Sequence, residues 1–67
     1  MPRFDIYKDR AGNYRWRLIA DNGTKVASSG EAFSSRSNAE RAAGTVKRLA
    51  PSASLPSSSS SRYGLYR

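Results

Sequence analysis

The sequence predicts an α+β domain: a three-stranded antiparallel meander, one helix and a short C-terminal strand, in the order β-β-β-α-β. Three observations predict it. Apolar and polar residues alternate in three short runs between Arg3 and Ser29. Two turn segments, residues 9–13 and 21–24, separate those runs and each carries a glycine. A capping signal at Ser37 then opens an alanine-rich stretch at helical spacing, which Pro51 closes.

The first strand is read from Arg3 to Lys8, where Phe4 and Ile6 alternate with Asp5 and Tyr7. Asp9-Arg10-Ala11-Gly12-Asn13 follows as a turn, in which Gly12 accepts a positive φ without steric cost. The second strand runs from Tyr14 to Ala20, with Trp16 and Leu18 on one face and Arg15 and Arg17 on the other. Asp21-Asn22-Gly23-Thr24 is the strongest local signal, because Asn-Gly suits the central pair of a type I′ hairpin turn. The third strand covers Thr24 to Ser29.

These turns set a register. A two-residue Asn22-Gly23 loop places Asp21 opposite Thr24, hence Leu18 opposite Ala27 and Ile19 opposite Val26. A first loop of residues 9–13 places Ile6 opposite Trp16 and Phe4 opposite Leu18. A one-residue slip there sets apolar side chains against charged ones, so the pattern favours this pairing. One sheet face then carries Phe4, Ile6, Trp16, Leu18 and Ala27. The other carries Arg3, Asp5, Tyr7, Arg15, Arg17 and Ser28, with Asp5 across from Arg17.

For the helix, Ser37-Asn38-Ala39-Glu40 matches a capping box, in which Ser37 and Glu40 satisfy backbone donors reciprocally. Ala39, Ala42, Ala43, Val46 and Leu49 recur on one side, and small alanines let the helix lie close to the sheet beside Trp16. Lys47 and Arg48 occupy the last turn, where cations suit the helix dipole. Past Pro51 the composition changes. Ser52-Ala53-Ser54-Leu55-Pro56 reads as one short strand, with Ala53 and Leu55 alternating with serines. The domain is thus bounded at residues 1–56. Residues 57–67, a serine run followed by a basic and aromatic end, read as a disordered tail.

The chain has 67 residues with neither Cys nor His. A domain of this size buries only about 60% of its unfolded surface. Disulfides are excluded and the usual zinc ligand sets are missing, so self-association is the remaining stabiliser and an oligomer is expected. No cofactor or metal is expected. Twelve Lys+Arg stand against five Asp+Glu, a net charge of +7 that attracts polyanions such as RNA or DNA. No stretch approaches the roughly 18 apolar residues of a membrane span, and no signal-peptide core follows Met1. A cytoplasmic protein without a membrane partner is expected.

The ordered set F-x-I-Y-K-D-x-A-G-x-Y-R-W-R-L, then A-x-N-G-x-x-x-A-S-S-G-E-x-F-S-S, then a serine-opened, alanine-rich helix, spans about Phe4 to Pro51. It closely resembles the YegP-like family of small uncharacterised domains. The resemblance implies a β-β-β-α-β unit that works in pairs, two units combining their sheets and exchanging the strand after the helix. With one copy in this chain, it implies a strand-swapped homodimer in which Ser52 to Leu55 crosses to the partner, Ala53 and Leu55 being its apolar residues. That strand is serine-rich here and bounded by Pro56, a departure that bears on the length of the swap. The resemblance implies no activity.

Catalysis has little support in the residues. The familiar nucleophile–base pairs need His or Cys. Asp9, Asp21 and Glu40 sit where turns and caps use carboxylates. Lys25, Ser28 and Ser29 are neighbours, but no motif marks them as a dyad, and the isolated glycines form no phosphate-cradling loop. A non-enzymatic binding module is therefore expected. Its candidate surface is the polar sheet face, where Arg3, Tyr7, Arg15 and Arg17 offer a ring for stacking and cations for phosphate. The alternative is a protein-interaction or stress-accessory module without a nucleic-acid role, and the alternative for the face is a solvated surface with ordinary ion pairs.

Overall fold

In the computed structural model, residues 1–56 are described; the expected tail, residues 57–67, lies outside the described residues. Strands β1 (Arg3–Lys8), β2 (Tyr14–Ile19) and β3 (Lys25–Ser28) form one antiparallel sheet in the order β1-β2-β3. Helix α1 (Arg36–Leu49) follows, and a single 3-10 turn, Ala50–Ser52, comes directly after it. The α+β meander-plus-helix architecture is as the periodicities predict. The closing strand expected at Ser52–Leu55 does not join this sheet: Ala53 is extended, residues 53–56 are exposed, and the sheet has three strands among the described residues.

The β1–β2 register matches the hydrophobic pattern, with Phe4 paired to Leu18, Asp5 to Arg17, Ile6 to Trp16 and Tyr7 to Arg15. The turn between them is a three-residue loop. Gly12 N–H donates to Asp9 O (3.0 Å), Asp9 N–H donates to Asn13 O (2.7 Å), and Gly12 takes φ +87°. Asp9 also accepts from the Ala11 and Asn13 amides through Oδ1, which ties the loop from inside.

The second hairpin departs from expectation. Gly23 N–H donates to Ala20 O and Ala20 N–H to Thr24 O, and Gly23 has φ +88°. No non-glycine residue among those described has a positive φ, so Asn22 does not adopt the conformation that a type I′ turn demands. The loop is Asp21-Asn22-Gly23, a type I turn completed by a left-handed glycine, the arrangement that strains only the residue without a Cβ. This extra loop residue shifts the ladder, and Ile19 pairs with Lys25 instead of Val26. A bulge then restores the expected frame, with Val26 as the unopposed residue and Leu18 again facing Ala27.

Beyond β3 the chain keeps following β2. Ser29 N–H donates to Trp16 O (2.9 Å), while Ser29 Oγ accepts from Trp16 N–H (3.3 Å) in place of a backbone carbonyl. Residues 30–32 loop away, and Phe33 returns to exchange two backbone bonds with Tyr14. The central strand is thereby satisfied along both sides.

Helix α1 packs on β1 and β2. Ala39 is fully buried and Ala43 nearly so, which brings the helix axis close to the sheet. Trp16, 8% exposed, is the large residue of this core, with the Phe4 ring edge-on at 5.5 Å. The helix starts earlier than the capping box implies. Ser35 is the N-cap, in extended conformation, and its Oγ accepts from Asn38 N–H (3.1 Å). Ser37 lies inside the first turn, and Glu40 pairs with Arg36 at i,i+4 (3.1 Å) instead of closing a box. Both Ser35 and Ser37 satisfy the residue preference of a cap. The Phe33–Tyr14 bridge fixes the backbone just before Ser35, so helix geometry is reached two residues sooner.

Two stability measurements follow from this packing. Ser35→Ala is expected to cost about 1 kcal/mol, a fall of roughly 4–8 °C in Tm for a domain of this size. Ser37→Ala should move Tm little; equal losses by thermal circular dichroism would contradict the assigned cap. A Cβ added at Gly44 meets nothing within 4 Å, so Gly44→Ala should stabilise the domain by up to about 1 kcal/mol through helix propensity.

Candidate nucleic-acid interface

The polar face of the β1–β2 pair is built by alternation. Arg3, Asp5 and Tyr7 share a side of β1, and Arg15, Arg17 and Ile19 share the corresponding side of β2. The register sets Asp5 directly across from Arg17, whose Nε and Nη2 both reach Asp5 Oδ2 at 2.9 Å. Both side chains remain more than a third exposed, so the pair contributes roughly 0.2–1 kcal/mol. Its geometric effect is larger. Held by Asp5, the Arg17 guanidinium lies over the Tyr7 ring, 4.7 Å from the centroid, along the sheet diagonal.

Arg15 is fixed from the turn. Asp9 Oδ2 accepts from Arg15 Nε at 2.9 Å, while Asp9 Oδ1 accepts the two loop amides. The Arg15 hydrogen bond, followed by the Asn13 amide, holds the Asp9 carboxyl below its ordinary value against a smaller opposing effect of desolvation. Asp9 is therefore more than a turn former: one carboxylate orders the hairpin loop and orients a cation of the sheet face. A turn aspartate six residues before an arginine on the returning strand was the signal available for this, since hairpin geometry brings the two together.

The structure thus gathers Tyr7, Arg15 and Arg17 into one cluster, each arginine retaining N–H donors beyond those used. Arg3 lies at the end of the same face, paired across the ladder with Ile19. Ile19 is the unexpected member: it is buried to 8% exposure on a face otherwise polar, flanked in register by Arg3 on β1 and Lys25 on β3. Long cationic side chains commonly cover such a residue with their methylene stems. Ala53 and Leu55, expected in the exchanged strand, are exposed, Leu55 at 89%.

Other sequence features are placed as structure. Trp16 is core, as expected. Ser29 is spent on the Trp16 amide, and Lys25 is exposed on the edge strand. Among the described residues no group of three or more acidic side chains gathers as a metal site, and no helix is long and apolar enough to cross a membrane. A second feature lies behind the sheet. An open groove of about 430 Å³ runs between the end of α1 and the start of β1, lined by Pro2, Phe4, Leu18, Val46, Ala50 and Pro51 with Arg3 and Lys47 at its rim.

A three-stranded meander backed by one alanine-faced helix defines a class of small α+β domains. Comparison with known proteins gives the family. Residues 9–55 match the domain of unknown function DUF1508, and the chain belongs to this YegP-like family. It is 46% identical over 44 residues to a UPF0339 protein of Neisseria meningitidis serogroup B, covering 66% of this chain and 77% of that protein. A UPF0339 protein of Methanosarcina acetivorans is 36% identical over 55 residues, covering 82% and 93% respectively. Among solved structures, the solution structure of a protein from Haloferax volcanii superposes with a TM-score of 0.76 at 40% identity, covering 85% of this chain and 95% of that one. The fold is therefore shared with the Haloferax volcanii protein, and none of these names states an activity.

The ion pair at the turn has a pH signature. A carboxyl whose folded pKa lies below its unfolded value stabilises the fold above that unfolded value, near pH 4. The contribution is lost as pH falls through the folded pKa. Acid unfolding of the wild type should therefore include a component between about pH 4 and the lower folded value, and Asp9→Asn should remove it. An unchanged acid profile in Asp9→Asn would show that Asp9 is not held by Arg15.

Proposed function

We propose that this chain is a non-enzymatic, homodimeric binding module that takes single-stranded RNA or DNA on the polar sheet face. The observation that carries the nucleic-acid reading is the cation–π contact of Arg17 with Tyr7, held by Asp5. An arginine and an aromatic ring side by side offer surfaces on which an unpaired base stacks, while Arg15 and Arg3 supply donors and charge for phosphate. Asp5 and Asp9 offset part of the local charge, but they also fix the two arginines in place and so lower the entropy lost on binding. The wider surface adds attraction: Arg3, Lys8, Arg10, Lys25, Arg41, Lys47 and Arg48 have no carboxylate partner among the described residues.

The dimer reading draws on the sheet edges and the groove. β3 is short and bulged at Val26, a form that resists strand addition. β1 is a regular six-residue edge beside the apolar groove. Ala53 and Leu55 are spaced so that an extended strand sends both to one side. The segment after the helix of a second copy therefore fits that edge, with Leu55 entering the groove. A protein-interaction role without nucleic acid is the second reading, favoured by the same open β1 edge, which accepts an extended peptide equally well.

For nucleic acid, labelled single strands should bind at low salt, with log K falling linearly as log salt rises. Arg15→Ala and Arg17→Ala should weaken binding and leave the circular dichroism unchanged. No binding of either RNA or DNA at low salt defeats the nucleic-acid reading. For assembly, light scattering should give about twice the 7.4 kDa chain mass at micromolar concentration. Truncation after Pro51 should dissociate or unfold the protein, whereas removal of residues 57–67 should not; a folded monomer of the full chain would rule the dimer out.

A further inference from the structure

The outward side of α1 is a separate basic surface that the sheet-face reading does not use. With Ala39 and Ala43 buried against the sheet, the 100° step per residue sets Ser37, Arg41, Gly44 and Arg48 along the opposite crest. All four are exposed. Glu40 is the single acid in the helix and is engaged by Arg36 on the flank. Arg41 and Arg48 have no carboxylate partner among the described residues, and Lys47 stands exposed on the helix flank, at the rim of the groove behind the sheet.

Gly44 makes this crest more than a solvated face. It sits mid-helix between the two arginines, where it weakens the helix. A side chain there would meet nothing within 4 Å, so the packing of this chain gives no reason for its absence. What a bare crest permits is close approach from outside.

Sharing the polyanion attraction of the reading above but not its surface, we propose that the α1 crest docks into the major groove of double-stranded DNA. A fourteen-residue helix is about 21 Å long, and Arg41 and Arg48 are about 10.5 Å apart along its axis. The B-form major groove, about 12 Å wide, admits a helix whose outer side is free. The deep, narrow groove of A-form RNA does not, which is the reason for choosing DNA. Arg41 and Arg48 reach into the groove past Gly44, and Lys47 meets the phosphates of one wall.

Fluorescence anisotropy of the full chain against labelled duplex DNA, duplex RNA and single strands separates the two surfaces. The double variant Arg41→Ala/Arg48→Ala is expected to lose at least about tenfold in duplex-DNA affinity and to lower the salt slope by about two. Its single-strand affinity should be retained. Gly44→Leu should fold, as circular dichroism reports, and bind duplex DNA more weakly because it fills the crest. Undiminished duplex binding by the double variant overturns the crest proposal, as does duplex RNA binding as tightly as duplex DNA. Duplex binding lost in Arg15→Ala/Arg17→Ala but kept in the crest variant also overturns it while sparing the sheet face. Duplex DNA bound through the crest, with no binding of single strands, would support the crest and defeat the sheet-face reading.

Discussion

The close seating of one helix on a two-strand surface is the constraint on which the rest depends. Ala39 and Ala43 present almost no side chain to the sheet, so α1 can approach β1 and β2 closely enough to bury Trp16. In a chain this short, that indole and its edge-on partner Phe4 supply much of the apolar area available. A larger residue at either alanine would lift the helix and expose both rings. The helix also lies over β1 and β2 only, which leaves β3 a peripheral strand and leaves the groove at the end of α1 open.

The central strand takes the remaining burden. Because β2 is flanked along its whole length, its backbone groups need partners on both sides, and β3 alone is too short to provide them. Ser29 and the Phe33 bridge continue the flank after β3 ends. That continuation delivers the chain to Ser35 in an extended conformation, which is what an N-cap requires. The loop before the helix is thus part of the sheet's hydrogen bonding as well as a connection.

On the far face, the same register that builds the core assembles the candidate site. Antiparallel pairing that sets Ile6 against Trp16 must set Asp5 against Arg17 and Tyr7 against Arg15. Charge, ring and cation are therefore brought together by the register, with Asp5 across the ladder holding Arg17 and Asp9 in the turn holding Arg15.

Local pattern was enough to place the three strands, the helix, the β1–β2 register and the division of the sheet into an aromatic and an arginine-rich face. Each depends on side-chain alternation or on residues adjacent in sequence. Three features needed the folded chain. The second hairpin gained a loop residue and a compensating bulge at Val26, because both Asn22-Gly23 turn types are compatible with the same dipeptide and only the ladder chooses. The helix began after Ser35 instead of Ser37, because two serines met the local preference and the Phe33–Tyr14 bridge selected one. Arg15 was bound to Asp9, a pairing across the hairpin that no helix or strand period displays. Sequence by itself determined the two faces of the sheet and the helix side that Ala39 and Ala43 bury, since those follow from periodicity; tertiary structure decided the burial of Ile19, the exposure of Leu49, the turn geometry, the cap and the ion pairs, since those are settled by groups that meet only after the chain has folded.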